Sequence, residues 1–152
     1  RSASYEGVVD IPLCPVHVIL CAAPVYLKSR GMPQHPRDLT EHACLAFKPS
    51  GTTWPFQSSR GVIHVDVRPR LVADDNRTLL QAAVAGLGIA PLPTYVAHQA
   101  LTSGTLDSVL TKFPPQENWF KAYVPRRQLH VARIEALLAW LAERLAPPHW
   151  VH

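Results

Sequence analysis

The stretch "AAVAGLGIAPLP", residues 82–93, sets two glycines between an apolar run of helical character and an apolar run of strand character. A dinucleotide-binding turn needs the order strand, glycine turn, helix, because the phosphates must meet free N–H groups at a helix N-terminus. Here the order is reversed. Upstream, "DDNRTLLQAAVAG" opens on Asp75 or Asp74 as an N-cap, and Leu79, Leu80, Ala83, Val84 and Leu87 recur at helical spacing. Gly86 stands where a helix takes a left-handed residue just past its C-cap. Gly88 starts a second tight turn into the strand "IAPL", and Pro93 stands at the first turn of the next helix. The glycines read as punctuation between helix and strand, and phosphate cradling is set aside.

The rest of the chain alternates in the same way. "VHVILC" reads as a strand, "PVYLKSRG" as a helix from Pro24 to a stop at Gly31, "PRDLTEH" as a short helix and "ACLAF" as a strand. "TTWPFQSSRGVIHVDVRPRLVA" has the valine alternation of a hairpin with one proline-interrupted member. "PTYVAHQALTSG" is a helix ending at Gly104, and "WFKAYV" is a strand. In "VARIEALLAWLAERL", Val131, Ile134, Leu137, Leu138, Leu141 and Leu145 form one apolar stripe, and Pro147 and Pro148 end the helix. Strands alternating with helices predict an α/β fold whose sheet is mainly parallel and covered on both faces.

Composition narrows the class. A chain of 152 residues, 47% hydrophobic and 17% charged, is the size of one domain with a real core. Its longest apolar run, "VHVILCAAPVYL", falls short of the roughly 20 residues that span a bilayer, and no basic-then-apolar signal segment opens the chain. A cytoplasmic protein with no membrane partner is expected. Cys14, Cys21 and Cys44 form no CxxC pair and are expected to be buried free thiols. Cys14, His17 and Cys21 have a metal-like spacing, but strand alternation puts Cys14 on the opposite face from the other two, so neither a metal nor a cofactor is expected. The net charge of +4 is scattered, with its tightest groups at Arg68–Arg70 and Arg126–Arg127, and reads as solvated surface rather than a nucleic-acid face. Catalysis finds little support: there is no G-x-S-x-G or H-E-x-x-H, and a triad drawn from His42, Cys44 and Asp38 has uninformative spacing.

Four stretches together carry a family resemblance. They are "CAAPVYLKSRGMPQHPRDLTEHACLAF", "TTWPF", "LLQAAVAGLGIAPLPTYVAHQALTSGTLDSVL" and "WFKAYVPRRQLHVARIEALLAWLAERL", in that order. Over nearly all of its length the chain resembles the effector-binding domain of LysR-type transcriptional regulators. The resemblance implies a periplasmic-binding-protein-like fold of two Rossmann-like subdomains joined by crossing strands, with a small-molecule effector in the cleft between them. By that likeness residues 1–12 are the end of the first subdomain and a crossing strand, 13–124 the second subdomain, and 125–152 the return to the first with its C-terminal amphipathic helix. The first subdomain would then be incomplete. DNA contact would belong to a helix-turn-helix domain that is absent from this chain. The implied function is effector sensing and oligomerisation; the alternative is a solute-binding protein of the same two-lobed fold.

Ligands in such folds meet strand C-termini and helix N-termini, where unpaired N–H groups point outward. The candidate effector-binding residues are therefore Arg1 at the end of the incoming strand, and the hydroxyl-rich loop Ser50, Gly51, Thr52, Thr53 and Trp54. To these are added the helix start Asp74, Asp75 and Asn76, and the strand end Pro91, Leu92 and Pro93. A small organic acid is the candidate ligand. Where many family members have Asn followed by Asp, this chain has Asp74 followed by Asp75, and two carboxylates repel an anion unless one of them caps the helix and the other is paired. The apolar stripe of the last helix lacks its usual cover, which predicts self-association.

Overall fold

The computed structural model describes residues 7–145. In chain order its elements begin with β1 (Val8–Val16), β2 (Val18–Ala22), α1 (Pro24–Arg30), a 3-10 segment (Pro36–Glu41) and β3 (Cys44–Phe47). A second 3-10 turn (Lys48–Ser50) leads to β4 (Thr53–Ser58), β5 (Gly61–Asp66), β6 (Pro69–Ala73) and α2 (Asn76–Val84). The remainder is β7 (Ala90–Pro93), α3 (Thr94–Thr102), β8 (Asp107–Val109), β9 (Asn118–Pro125), a 3-10 turn (Arg126–Gln128) and α4 (Ala132–Leu145). Contacts divide the chain into two units, one of Arg1–Val16 with Glu117–His152 and the other of His17–Gln116.

In the second unit, β2 lies between β7 and β8 and is antiparallel to both, while β3 and β6 pair in parallel. A parallel bridge between Cys44 and Ile89, the residue before β7, joins these two sheets. The expected parallel sheet is thus parallel only in part, because β2 runs against its neighbours. Apolar strands covered on both faces look alike in either direction, so their sequence carries no sign of polarity. The two faces alternate residue by residue. Leu20, Ala22, Cys44, Ala46 and Ile89 pack with Tyr26 and Leu27 of α1, Leu39 of the 3-10 segment, and Trp54, Phe56 and Val65 of the β4–β5 hairpin. Cys21, Leu45, Ala90 and Leu92 pack with Leu79, Ala82 and Ala83 of α2 and Ala97 of α3. Each large side chain so buried contributes about 1.5–3 kcal/mol, and no described polar or charged residue is buried.

The two glycines have separate tasks. Gly86, at φ 76°, follows the C-cap Ala85; its N–H donates to the carbonyl of Ala83 (2.9 Å), and Leu87 N–H donates to Ala82 (3.0 Å). This is the paired closure of a helix by a left-handed residue. Gly88 permits a close approach: a Cβ there would fall on the carbonyl oxygen of Ala43. That oxygen accepts the N–H of Ile89 (2.8 Å), and Ile89 in turn accepts the N–H of Leu45 (2.8 Å).

Other expectations shift in detail. The strand expected from Val16 is interrupted at His17, so Cys14 lies on β1 and Cys21 on β2. Pro93 is the N-cap of α3 and the last residue of β7 rather than a first-turn residue, and β8 was not expected. Pro147 and Pro148 lie outside the described residues.

The first unit is an antiparallel ribbon of β1 and β9, irregular between Pro12 and Cys14, with an ion pair between Lys121 and Asp10 (2.9 Å). On α4 the residues Ile134, Leu138, Leu141 and Leu145 are half-buried, as is Val131 just before it. Leu137 is 51% exposed and falls off this stripe, beside Trp140 at 52%. No described residue of α4 is fully buried.

Substitution at the glycines separates their tasks. Gly86→Val should cost about 1 kcal/mol or more through left-handed strain. Gly88→Ala should cost roughly 2–4 kcal/mol, because the Ala43 carbonyl must move and the Ile89 bond goes with it. Urea midpoints check both, and an unchanged midpoint for Gly88→Ala would contradict the close approach.

Candidate functional site

β3, β6 and β7 point the same way, so their C-terminal ends leave the second unit at one edge of its sheet. Phe47 at the end of β3 pairs with Ala73 at the end of β6. Pro93 at the end of β7 pairs with Val18 at the start of β2, and Thr94 N–H donates to the carbonyl of His17 (2.9 Å). The loop after Phe47, the turn at Asp74–Asn76 and the β7–α3 junction therefore gather along that edge. Three of the four expected groups are brought together; Arg1 lies outside the described residues.

Their side chains are differently committed. Trp54 is buried under the sheet and donates its indole N–H to the Gly51 carbonyl (3.3 Å), so it shapes the loop from below. Leu92 is fully buried in the core with α2 and α3 and supports the edge rather than lining it. Pro93 is buried and Pro91 half-buried. Thr53 donates its hydroxyl to Asp66 across the hairpin (2.6 Å), and Thr52 accepts the N–H of Val67 at its carbonyl (2.9 Å). Ser50, Gly51 and Thr52 are exposed, and the Ser50 and Thr52 hydroxyls have no protein partner among the described residues.

At the α2 start, Asp75 is the cap. Its carboxylate accepts both the backbone N–H and the hydroxyl of Thr78 (2.9 Å each), and the hydrogen bonds from Thr78 hold its carboxyl below the usual range. Asp74 is exposed and takes no part in the cap. The helix N-terminus thus spends donors on its own Asp75, which leaves Asp74 as an uncommitted acceptor at the same sheet edge as the Ser50 and Thr52 hydroxyls. Such an edge can take a ligand with donors of its own, while a bare anion meets a carboxylate.

Two contributors escaped the sequence. The Thr94 hydroxyl, directly after "APLP", is buried without a hydrogen-bond partner among the described residues, and Asp66 holds Thr53. Thr94 was signalled only by its place at the first turn of α3. The drawn triad does not assemble. His42 Nδ1 faces the Tyr26 hydroxyl (3.0 Å), Asp38 accepts the N–H groups of Gln34 and His35, and Cys44 Sγ donates weakly to the Leu39 carbonyl (3.5 Å). Burial pushes the Cys44 thiol up to about 12, the opposite of what a nucleophile needs.

Comparison with known proteins follows the same lines. The family model described as LysR substrate binding domain matches residues 2–146. An uncharacterized HTH-type transcriptional regulator of Escherichia coli, YhjC, is 31% identical over 141 residues, covering 90% of this chain and 47% of that protein. The HTH-type transcriptional activator TtdR of the same organism is 31% identical over 138 residues, covering 86% of this chain and 44% of that protein. The regulatory domain of CrgA from Neisseria meningitidis, itself a LysR-type regulator, superposes with a TM-score of 0.77 at 24% identity, covering 95% of this chain and 72% of that one. The chain spans less than half the length of these two curated relatives. Among the described residues no helix is long and apolar enough to cross a membrane.

The two aspartates should differ in stability. Asp75→Ala should lower the thermal midpoint near neutral pH, and Asp74→Ala should leave it unchanged. Because the Asp75 carboxyl is held below its unfolded value, its stabilisation is present above that value and is lost as the pH falls through the folded one. The gap between wild type and Asp75→Ala should therefore close in acid; melting curves at the two pH values check it.

Proposed function

Because the chain belongs to the LysR substrate-binding domain family, with the periplasmic-binding-protein-like α/β fold of its effector domains, we propose that it senses a small-molecule effector for a transcriptional regulator. The supporting observation is the convergence of three strand ends of the second unit on one edge, with Asp74 and the Ser50 and Thr52 hydroxyls uncommitted. That unit lies wholly within the expected second subdomain, 13–124, which supports its assignment as the effector-reading one. The segments 1–12 and 125–152 are then the parts belonging to the first subdomain.

The donor set favours a small organic acid that also carries hydroxyl or amino groups: donors for Asp74, and a carboxylate for the Ser50 and Thr52 hydroxyls. Effector binding would shift the population of conformations and so change how subunits pack. DNA contact belongs to a helix-turn-helix part of the whole regulator. The same reading includes self-association through the half-covered stripe of α4, beside which Leu137 and Trp140 stand exposed.

Melting curves against a panel of hydroxy- and amino-carboxylic acids test the sensing. A stabilising ligand should bind about tenfold or more weakly to Asp74→Ala, with the urea midpoint of that variant unchanged. Equal affinity for both proteins would remove Asp74 from the site, and a panel without any stabilising member would remove this ligand class. Sedimentation across a concentration series tests the assembly. Wild type should associate and the Leu138→Glu, Leu141→Glu double variant should not; a well-folded monomer at high concentration would contradict it.

A further inference from the structure

Ala43, whose carbonyl helps to join the β3–β6 sheet to the β7–β2–β8 sheet, is also tied to a histidine. Tyr26 of α1 is 5% exposed, and its hydroxyl accepts the Ala43 N–H (2.9 Å) while lying 3.0 Å from Nδ1 of His42. One lone pair takes the Ala43 N–H, and the hydroxyl can give its proton to Nδ1 when the imidazole is neutral and carries its own proton on Nε2. On the other side, the Ala43 carbonyl accepts Ile89 N–H against Gly88. The neighbouring charges are Arg30 of α1 and Asp38 of the 3-10 segment, which act on His42, and Arg70 of β6, which with Arg30 acts on Tyr26. Cys44 of β3 is a buried neutral thiol, and His35 donates its backbone N–H to Asp38.

We propose that His42 is a proton-operated latch on the joint between β3 and β7: neutral, it accepts the Tyr26 hydroxyl and fixes Ala43; protonated, it deprives Tyr26 of its acceptor and the joint opens more often. No ligand enters this device, so it stands apart from the sensing function. Its consequence reaches the candidate edge, since β3 and β7 both run from the joint to Phe47 and Pro93. Burial, seconded by Arg30 and opposed by Asp38, holds His42 below its ordinary value. Asp38 is itself held below the usual carboxylate range by the N–H groups of His35 and Gln34, so it stays ionised while His42 titrates. A histidine with a depressed folded value stabilises fully above its unfolded value of about 6.5 and loses that contribution as the pH falls through the folded one.

The test is amide exchange followed by NMR on the 152-residue chain, corrected for the intrinsic pH dependence of exchange. In wild type, protection at Leu45 and Ile89 should fall in acid by about tenfold for each unit between the unfolded and folded values of His42. Its midpoint should coincide with the titration of the His42 ring. In His42→Asn, whose side-chain oxygen can still accept from Tyr26 and does not titrate, protection should stay level; in Tyr26→Phe, the His42 titration should move upward. The latch is overturned if wild-type His42 titrates at or above the ordinary value, or if protection at Leu45 and Ile89 falls at a pH other than that of His42. It is equally overturned if the acid loss is the same in His42→Asn.

Discussion

Two hydrogen bonds, from Ile89 to Ala43 and from Leu45 to Ile89, connect the β3–β6 and β7–β2–β8 sheets of the second unit, and they form only because residue 88 has no side chain. Leaving those buried groups unpaired would cost about 1–3 kcal/mol each. The joint also sets the phase of everything beside it. With Cys44 opposite Ile89, the side chains of Leu45, Ala90 and Leu92 fall to the α2–α3 face, while Cys44, Ala46 and Ile89 fall to the face covered by α1 and the hairpin. A shift of one residue would exchange the two faces and put Leu45 and Leu92 against the wrong partners.

The same joint aims the strand ends. Because β3 and β7 leave it in one direction, the polar segments after them emerge together, and the buried residues Trp54 and Leu92 brace them from inside. The chemistry of the edge follows from which groups are already engaged. Asp75 is consumed by Thr78 and Thr53 by Asp66, whereas Asp74, Ser50 and Thr52 face outward uncommitted. In the proposed site an acceptor carboxylate among hydroxyls would favour ligands that bring donors, since a ligand that covers Asp74 without one strips it of water.

Local features were legible in the sequence. Pro24 and Gly31 bracket α1, Asp75 and Gly86 bracket α2, and the stripe of α4 is visible as a period, apart from Leu137. What depends on distant partners was not. The role of Gly88 is set by Ala43, far upstream; the polarity of β2 is set by the strands on either side; and β8, with Asp107 and Ser108 exposed, is a strand only because β2 pairs with it. For the site, residue types told where polar groups cluster, but their commitments are tertiary. Nothing in "TTW" announces that Thr53 belongs to Asp66 and Trp54 to the core.

We propose that the polar strand-end edge of the second unit reads a small molecule. Backbone chemical-shift mapping during titration with a stabilising hydroxy- or amino-carboxylic acid tests it most directly. The amides of Gly51–Trp54, Asp74–Arg77 and Thr94 should move first and saturate together. Shifts gathered instead at the opposite end of the sheet, around Arg68 and Gly88, or along α4, would contradict it.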